Sequence, residues 1–389
     1  MANCRSCLEN TDVNWSFVVF ILSFFMVFYA YLGYPLSLML LRVFRKNGKI
    51  RRRLDAPVTL IITVYNEEKR IKGKIENTLK LDYPAGKLQV LVASDGSTDA
   101  TNDIVRSYEV QGVELFEVVN RGGKENAQKE AVLHAMGEII IFSDVATILE
   151  PQGLIEIVSN FADPSIGCVS SEDRLIGQDG KPSGEGFYVR YEMRLRRLES
   201  QVNSIVGLSG SFFSARKEVC QDFSGNVQSD FRTLLNSMKL GLRGVSDQKA
   251  IGSYLNIADE KQEFDRKVRT VLRGLTVFFK HLEFLNVFQY GLFSYQFFCH
   301  KLLRWLVPVF LVAALVSNVI LAFTSVFFLF LLVGQFLFYG IGVYGWVTQS
   351  LSGVLKIPMF FMVVNVAIAV AWWKYLTGKR VVLWEPSTR

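Results

Sequence analysis

Acidic and amide side chains stand at the ends of four short apolar runs. Val58 to Val64 leads into Asn66-Glu67-Glu68, and Leu88 to Ala93 leads into Asp95-Gly96-Ser97. Val113 to Val119 leads into Asn120-Arg121, and Glu138 to Phe142 leads into Asp144. Carboxylates accept hydrogen bonds and ligate hard cations. Lys124 brings the opposite chemistry. It follows Gly122-Gly123 and precedes a helical pattern, a loop able to offer backbone N–H groups and an ammonium to a phosphate. Asp95-Gly96 taken alone also reads as a plain turn.

The runs themselves have strand length and composition, and between them apolar residues recur at helical spacing over Glu68 to Leu81 and Ala127 to Met136. Alternation of strand and helix predicts an α/β, doubly wound sheet. Such sheets bind ligands outside the carboxyl ends of their strands, which is where the carboxylates lie. No internal repeat or low-complexity tract interrupts the pattern.

The rest of the chain belongs to a different solvent. It has 389 residues, of which 50% are hydrophobic and 13% aromatic, more than an ordinary soluble domain carries. The excess is localised: no charged residue occurs from Val13 to Leu41 or from Trp305 to Leu355, and Ile357 to Trp373 is a further apolar stretch. A water-soluble helix keeps a polar face, and these do not. A span needs about 20 apolar residues, so one anchor and about three C-terminal spans are expected. The first block lacks a basic n-region beyond Arg5 and a small-residue cleavage site, so it reads as an anchor.

Arg42, Arg45, Lys46, Lys49, Arg51, Arg52 and Arg53 crowd behind the anchor and account for much of the formal +7 charge. The positive-inside rule then places the middle of the chain in the cytoplasm, and the cluster suits anionic lipid head groups rather than nucleic acid. Three further spans would leave Arg389 outside, whereas Lys374, Lys379 and Arg380 favour an inside tail. Between Leu275 and Phe298 aromatics recur among Lys280, His281 and Glu283, as expected of an interfacial helix. Cys4-x-x-Cys7 reads as an incidental pair, Cys168, Cys220 and Cys299 as buried small hydrophobes, and His134, His281 and His300 are too scattered for a zinc site.

Thr63-Val64-Tyr65-Asn66-Glu67-Glu68, Ala93-Ser94-Asp95-Gly96-Ser97-Thr98-Asp99 and Phe142-Ser143-Asp144-Val145-Ala146-Thr147 occur in the order of the motifs of family 2 glycosyltransferases with a GT-A fold. Tyr191-Glu192-x3-Arg196-x2-Glu199-Ser200, Gly210-Ser211-x2-Ser214-Ala215-Arg216, Ser229-Asp230-Phe231, Glu263-Phe264-x-Arg266-Lys267-Val268-Arg269, His300-Lys301-Leu302-Leu303-Arg304-Trp305 and the closing Gly378-Lys379-x4-Trp384-Glu385-Pro386 extend the match over nearly the whole chain. The set resembles a membrane-bound bacterial polysaccharide-synthesis subgroup, similar to hyaluronan, cellulose and chitin synthases. The resemblance implies a GT-A (Rossmann-like) nucleotide-sugar-binding domain plus transmembrane helices. It also implies that Tyr65, Asn66, Glu67, Asp95, Ser97, Lys124, Asp144, Arg266 and Arg269 bind the nucleotide-sugar, with Glu67 and Asp95 on the nucleoside. Asp144 would help to hold Mg²⁺ or Mn²⁺ on the diphosphate, and Asp230 would be the catalytic base.

Three departures matter. Ala146 stands where a second Asp or Asn is usual, and Ser229 where the first acid of the base pair commonly lies. Arg266 and Thr270 replace the Gln and Trp of the processive Gln-x-x-Arg-Trp motif, and that segment also reads as a basic membrane-facing helix. Asp230 also reads as an N-cap for a helix over Phe231 to Met238, behind an acceptor-binding helix expected from Gly186 to Val202.

The chain is thus expected to comprise a tail (1–14), an anchor (15–43), a GT-A domain (54–260), basic and interfacial helices (261–300), transmembrane helices (301–376) and a C-terminal tail (377–389). The function implied is an inverting transferase, of hexosyltransferase type, in the cell inner (cytoplasmic) membrane with its catalytic domain cytoplasmic. Its partners would be a nucleotide-sugar donor, expected to be a UDP-sugar, a lipid-linked or growing glycan acceptor, membrane lipids, and a homo-oligomer or export partner. The alternatives are single addition to a polyprenyl phosphate and a catalytically silent scaffold of an export complex.

Overall fold

The computed structural model describes residues 2–45, 48, 50–177, 186–221, 228–255, 260–348, 351 and 353–379, with backbone only for 2–12, 186–188 and 260. Lys46, Lys49, Arg380, the Trp384-Glu385-Pro386 motif and Arg389 lie outside the described residues, as do the side chains of Cys4 and Cys7. The chain divides into two units. Among the described residues, one comprises Met1–Ser37, Phe264–Leu272 and Phe297–Lys379, and the other comprises Leu38–Glu263 and Arg273–Gln296.

The second unit is built on an eight-stranded sheet. Its strands are β1 (Val58–Val64), β2 (Leu88–Ser94), β3 (Val113–Glu117), β4 (Ile139–Asp144), β5 (Ile148–Leu149), β6 (Ile166–Ile176), β7 (Phe212–Arg216) and β8 (Arg243–Leu255), in the order β3-β2-β1-β4-β7-β6-β8-β5. β1 is buried along its whole length, which its Val, Leu and Ile content permits and its central place demands. It runs parallel to β2 and β4, and β2 runs parallel to β3. The chain steps outward from β1 to β3, then returns to the other side of β1 as β4. The β1–β4 gap is therefore a topological switch point, and there Thr63 is in register with Asp144.

The four expected strands form, β1 with the ends expected and the other three with shifted ends. β3 stops at Glu117 because it is an edge strand, paired only with β2. The helix after β1 starts at Ile71, not Glu68, because residues 66–70 are spent on a turn opened by Asn66 at φ 51°. Beyond β4 the doubly wound pattern ends: β7 is antiparallel to both β4 and β6, and β8 is parallel to β6. The helices Gly186–Val202 and Ser229–Lys239 punctuate this half.

The other unit is helical. Among the described residues four helices are long and apolar enough to cross a membrane: Val13–Phe44, Leu292–Ala322, Val326–Thr348 and Gly353–Leu376. The second continues from Leu292 through Lys301 and Arg304, so the helix begins earlier than the charge-free run did. Tyr29–Gly33 and Phe298–Leu303 are π-helical turns, and Ala30 of the first packs in one cluster with Leu303 and Val307. Phe20 meets Phe328 edge to face with centroids 5.5 Å apart, and the Trp372 indole donates to the Trp305 carbonyl at 2.8 Å. Inside lipid such polar groups need internal partners.

At the amino end of the β1–β4 pair, opposite the carboxylates, the approach of the chain to β1 rests on Gly137. A Cβ there would lie 2.4 Å from the Thr59 nitrogen and 2.5 Å from the Val58 carbonyl carbon, while its N–H donates to Thr59 Oγ1 at 2.9 Å. Gly73, by contrast, has nothing within 4 Å of such a Cβ. Gly137→Ala is expected to destabilise the protein by about 1–3 kcal/mol through forced backbone movement. Gly73→Ala should be neutral or slightly stabilising, because alanine is the better helix former. Melting curves of the detergent-purified variants check this, and equal curves would contradict it.

Candidate active site

Two turns at the ends of β1 and β2 are stitched together. The Asn66 amide oxygen accepts from the Thr98 N–H at 2.8 Å, and the Asn66 N–H donates to Ser97 Oγ at 3.1 Å. Asn tolerates the left-handed conformation required there. The Glu67 N–H donates to Thr101 Oγ1 at 2.7 Å, and the Glu68 N–H to Asp99 at 3.1 Å.

Glu67 and Asp95, both assigned to the nucleoside above, are engaged by the protein itself. Both oxygens of Glu67 are held by Arg70, at 2.6 and 2.7 Å. Burial pushes the Glu67 carboxyl up, Arg70 opposes this, and the negative charges of Asp144 and Asp99 add to the rise. Asp95, with no exposed surface, accepts the N–H groups of Gly122 and Gly123 at 2.9 Å each. Burial raises the Asp95 carboxyl as well, against those two donors and Arg121. The glycine amides read from sequence as phosphate donors are thus committed to Asp95, because a buried carboxylate must be hydrogen-bonded. Gly123 (φ 91°) then opens the helix Lys124–His134. The Arg121 guanidinium lies 3.7 Å from the centroid of the Tyr65 ring, roofing the same end of the sheet.

Lys124 comes back across the switch point. Its ammonium is paired with the Asp144 carboxylate and donates to the Gly210 carbonyl at 3.1 Å. The Asp144 N–H donates to the Ser211 carbonyl at 2.9 Å. On the other face of Gly210, a Cβ would meet Asp230 Oδ2 at 3.0 Å. Lys124, Asp144 and Asp230 therefore converge on the Ser209–Gly210–Ser211 turn that precedes β7.

Asp230 lies in the first turn of the helix Ser229–Lys239, whose N-cap is Gln228, so it is not the cap itself. Its oxygens accept from the Phe231 N–H at 2.7 Å and the Gln228 amide at 3.1 Å, which fixes the carboxylate. Arg266 and Arg269 lie on the helix Glu260–Lys280, in the segment Phe264–Leu272 that belongs to the helical unit. Arg273, further along that helix in the sheet unit, pairs with Glu125, the neighbour of Lys124. No group of three or more His, Cys, Asp or Glu that could hold a metal occurs among the described residues.

Sequence reasoning missed Lys74. It hides in the helix Ile71–Thr78, where its spacing looks like that of any solvated lysine. Its ammonium donates to Ser143 Oγ at 2.7 Å and to the Thr147 carbonyl at 2.6 Å, bracketing Asp144 from beneath. Burial pulls its pKa from 10.5 down to about 7, with Asp144 opposing. Between those values the unfolded chain holds a proton that the fold does not, so rising pH favours the fold. The melting temperature of the wild type minus that of Lys74→Met is expected to climb from pH 7 to about pH 10. A flat difference over that interval would contradict the burial argument.

Residues 59–223 match the family model described as glycosyl transferase family 2. The chain is 31% identical over 218 residues to a beta-monoglucosyldiacylglycerol synthase of Synechocystis sp., covering 53% of this chain and 43% of the relative. It is 25% identical over 167 residues to the glycosyltransferase AglE of Haloferax volcanii, covering 42% and 54%. The chain thus spans about half the length of these curated relatives. The mannosyltransferase PcManGT from Pyrobaculum calidifontis, solved in complex with GDP-Man and Mn²⁺, superposes with a TM-score of 0.74. At 20% identity that likeness, over 93% of this chain and 99% of the other, is one of fold. The parallel β1–β4 half, the carboxylates at its switch point and the likeness in structure agree on a GT-A fold, within which residues 59–223 are similar to glycosyl transferase family 2.

Proposed function

We propose that this protein is a membrane-bound, inverting glycosyltransferase that moves a sugar from a nucleotide-sugar, a UDP-sugar in the first instance, to a lipid-linked or growing glycan acceptor. The observation that carries the reading is the meeting of Lys124, Asp144 and Asp230 at one turn beside the switch point. Sugar transfer needs a cation against the departing diphosphate and a base for the attacking hydroxyl. In this reading Lys124 meets the diphosphate, and Asp230, across Gly210, takes the acceptor proton. Asp95 preorganises the loop that carries Lys124, and the Tyr65–Arg121 pair offers an aromatic face to the base. Four membrane-capable helices support action at a membrane. Similarity to a diacylglycerol glycosyltransferase favours a lipid acceptor and addition of a single sugar, as do Arg266 and Thr270 at the processivity motif.

A divalent ion fits this site in one way only. Asp144 is the carboxylate available to it, Ala146 offers none, and Lys124 already neutralises Asp144. A protein-only cage is excluded by that donor set, whereas Mg²⁺ or Mn²⁺ carried on a diphosphate needs just one or two carboxylates. Bound so, the ion would neutralise charge on the leaving diphosphate. Mn²⁺ is therefore expected to bind weakly alone and at least tenfold more tightly with UDP present, as titration calorimetry would show. Tight binding without nucleotide would count against the assignment.

Activity is tested by incubating the purified protein with UDP- and GDP-sugars and a lipid extract and measuring nucleotide release. Absence of release with every donor would favour the scaffold alternative. Loss of a positioned base typically costs about 10² to 10⁴ in rate. Asp230→Asn is expected to lose that much transfer while binding UDP normally. The amide oxygen that replaces the carboxylate can still accept the Phe231 N–H, so the helix should keep its stability. A normal transfer rate in this variant would remove Asp230 from the chemistry.

A further inference from the structure

Asp173, near the end of β6, is a carboxylate that the proposed chemistry does not use. Its side chain is 11% exposed, and Oδ1 accepts from both Ser209 Oγ at 2.6 Å and Ser211 Oγ at 2.9 Å. These serines flank Gly210, so Asp173 grips the same turn that gathers Lys124, Asp144 and Asp230. The other oxygen is differently placed. Arg196, from the helix Gly186–Val202, brings Nη1 to 3.8 Å from Oδ2, too far for a hydrogen bond, and donates instead to Ser170 Oγ at 3.3 Å. Ser170 in turn accepts the Ser209 N–H at 2.8 Å, which ties the arginine to the turn as well.

A carboxylate oxygen and a guanidinium nitrogen 3.8 Å apart leave room for one hydroxyl to donate to the first and accept from the second, each at ordinary hydrogen-bond length. The donor sugar is covalently attached to the diphosphate, and the Ser211 residue that holds Asp173 also holds the Asp144 N–H through its carbonyl. We infer that Asp173 and Arg196 clamp a single hydroxyl of the donor sugar and set which sugar is accepted, an assignment that rests on the function proposed above. Oδ1, fixed by two serines, orients the carboxylate, and Oδ2 reads the substrate. Only the hydroxyl bridges the pair, so the nucleotide itself is not sensed.

The test uses the full-length protein in detergent. The best-bound of UDP-glucose, UDP-galactose, UDP-N-acetylglucosamine and GDP-mannose is identified by calorimetry, then compared with its monodeoxy analogues and with the bare nucleotide. One analogue is expected to bind about 10- to 100-fold more weakly to the wild type, the effect of losing a hydrogen bond to charged partners. In Asp173→Asn and in Arg196→Gln the parent sugar should fall to the level of that analogue. The analogue and the nucleotide should change by no more than about twofold, the signature of a pairwise interaction. Nucleotide binding also reports that each variant is folded. If both variants keep the wild-type ratio, or lose nucleotide and sugar binding in parallel, the pair is structural and the inference is overturned. A wild type that binds none of the four donors would overturn the functional reading, and this one with it.

Discussion

Gly210 is the point through which the site is assembled. Its carbonyl receives the Lys124 ammonium, its missing side chain admits the Asp230 carboxylate, and its two neighbours hold Asp173 and the Asp144 N–H. No long element separates these charges. They are brought within one turn of each other because β7 pairs antiparallel with β4 and so delivers its leading loop to the carboxyl end of a parallel strand. The reversal of strand direction in the middle of the sheet has a chemical use: it lets residues from both halves of the chain meet at one edge.

Around that turn the protein manages buried charge by local closure. Asp95 is satisfied by backbone N–H groups, Glu67 by Arg70, Glu125 by Arg273, and Lys74 by a hydroxyl and a carbonyl. A bare charge in such surroundings costs several kcal/mol, so each partner is a condition for folding as well as for order at the site. The carboxylates the sequence displays at strand ends therefore divide into two kinds. Asp95 and Glu67 shape loops, whereas Asp144 remains about one-third exposed.

This division marks the limit of what could be read before the fold was known. β1, β2 and β4 were legible because a buried parallel strand must be an unbroken apolar run, and four membrane-capable helices were legible because each carries a long charge-free stretch. Positions 95, 124, 144 and 230 were singled out by motif order, and the fold brings 124, 144 and 230 to one turn. The partners of those residues were not. Lys74 lies on an ordinary-looking helix, and Asp173 and Gly210 act through contacts between segments far apart in the chain, so no spacing announces them. The assignment of the Gly122–Gly123 amides to phosphate failed for the same reason, since only the fold places Asp95 against them.

The two π-helical turns carry a consequence of another sort. Each fits an extra residue into a helix, which turns everything beyond it by about 100° relative to an uninterrupted α-helix. Tyr29–Gly33 and Phe298–Leu303 occur in helices of the same unit and pack together through Ala30 and Leu303. Because Ala30 and Leu303 share one packed cluster, losing one residue from either turn would leave the partner helix facing the wrong stripe. Among homologues the two insertions should therefore be inherited as a pair, visible as single-residue gaps that come and go together.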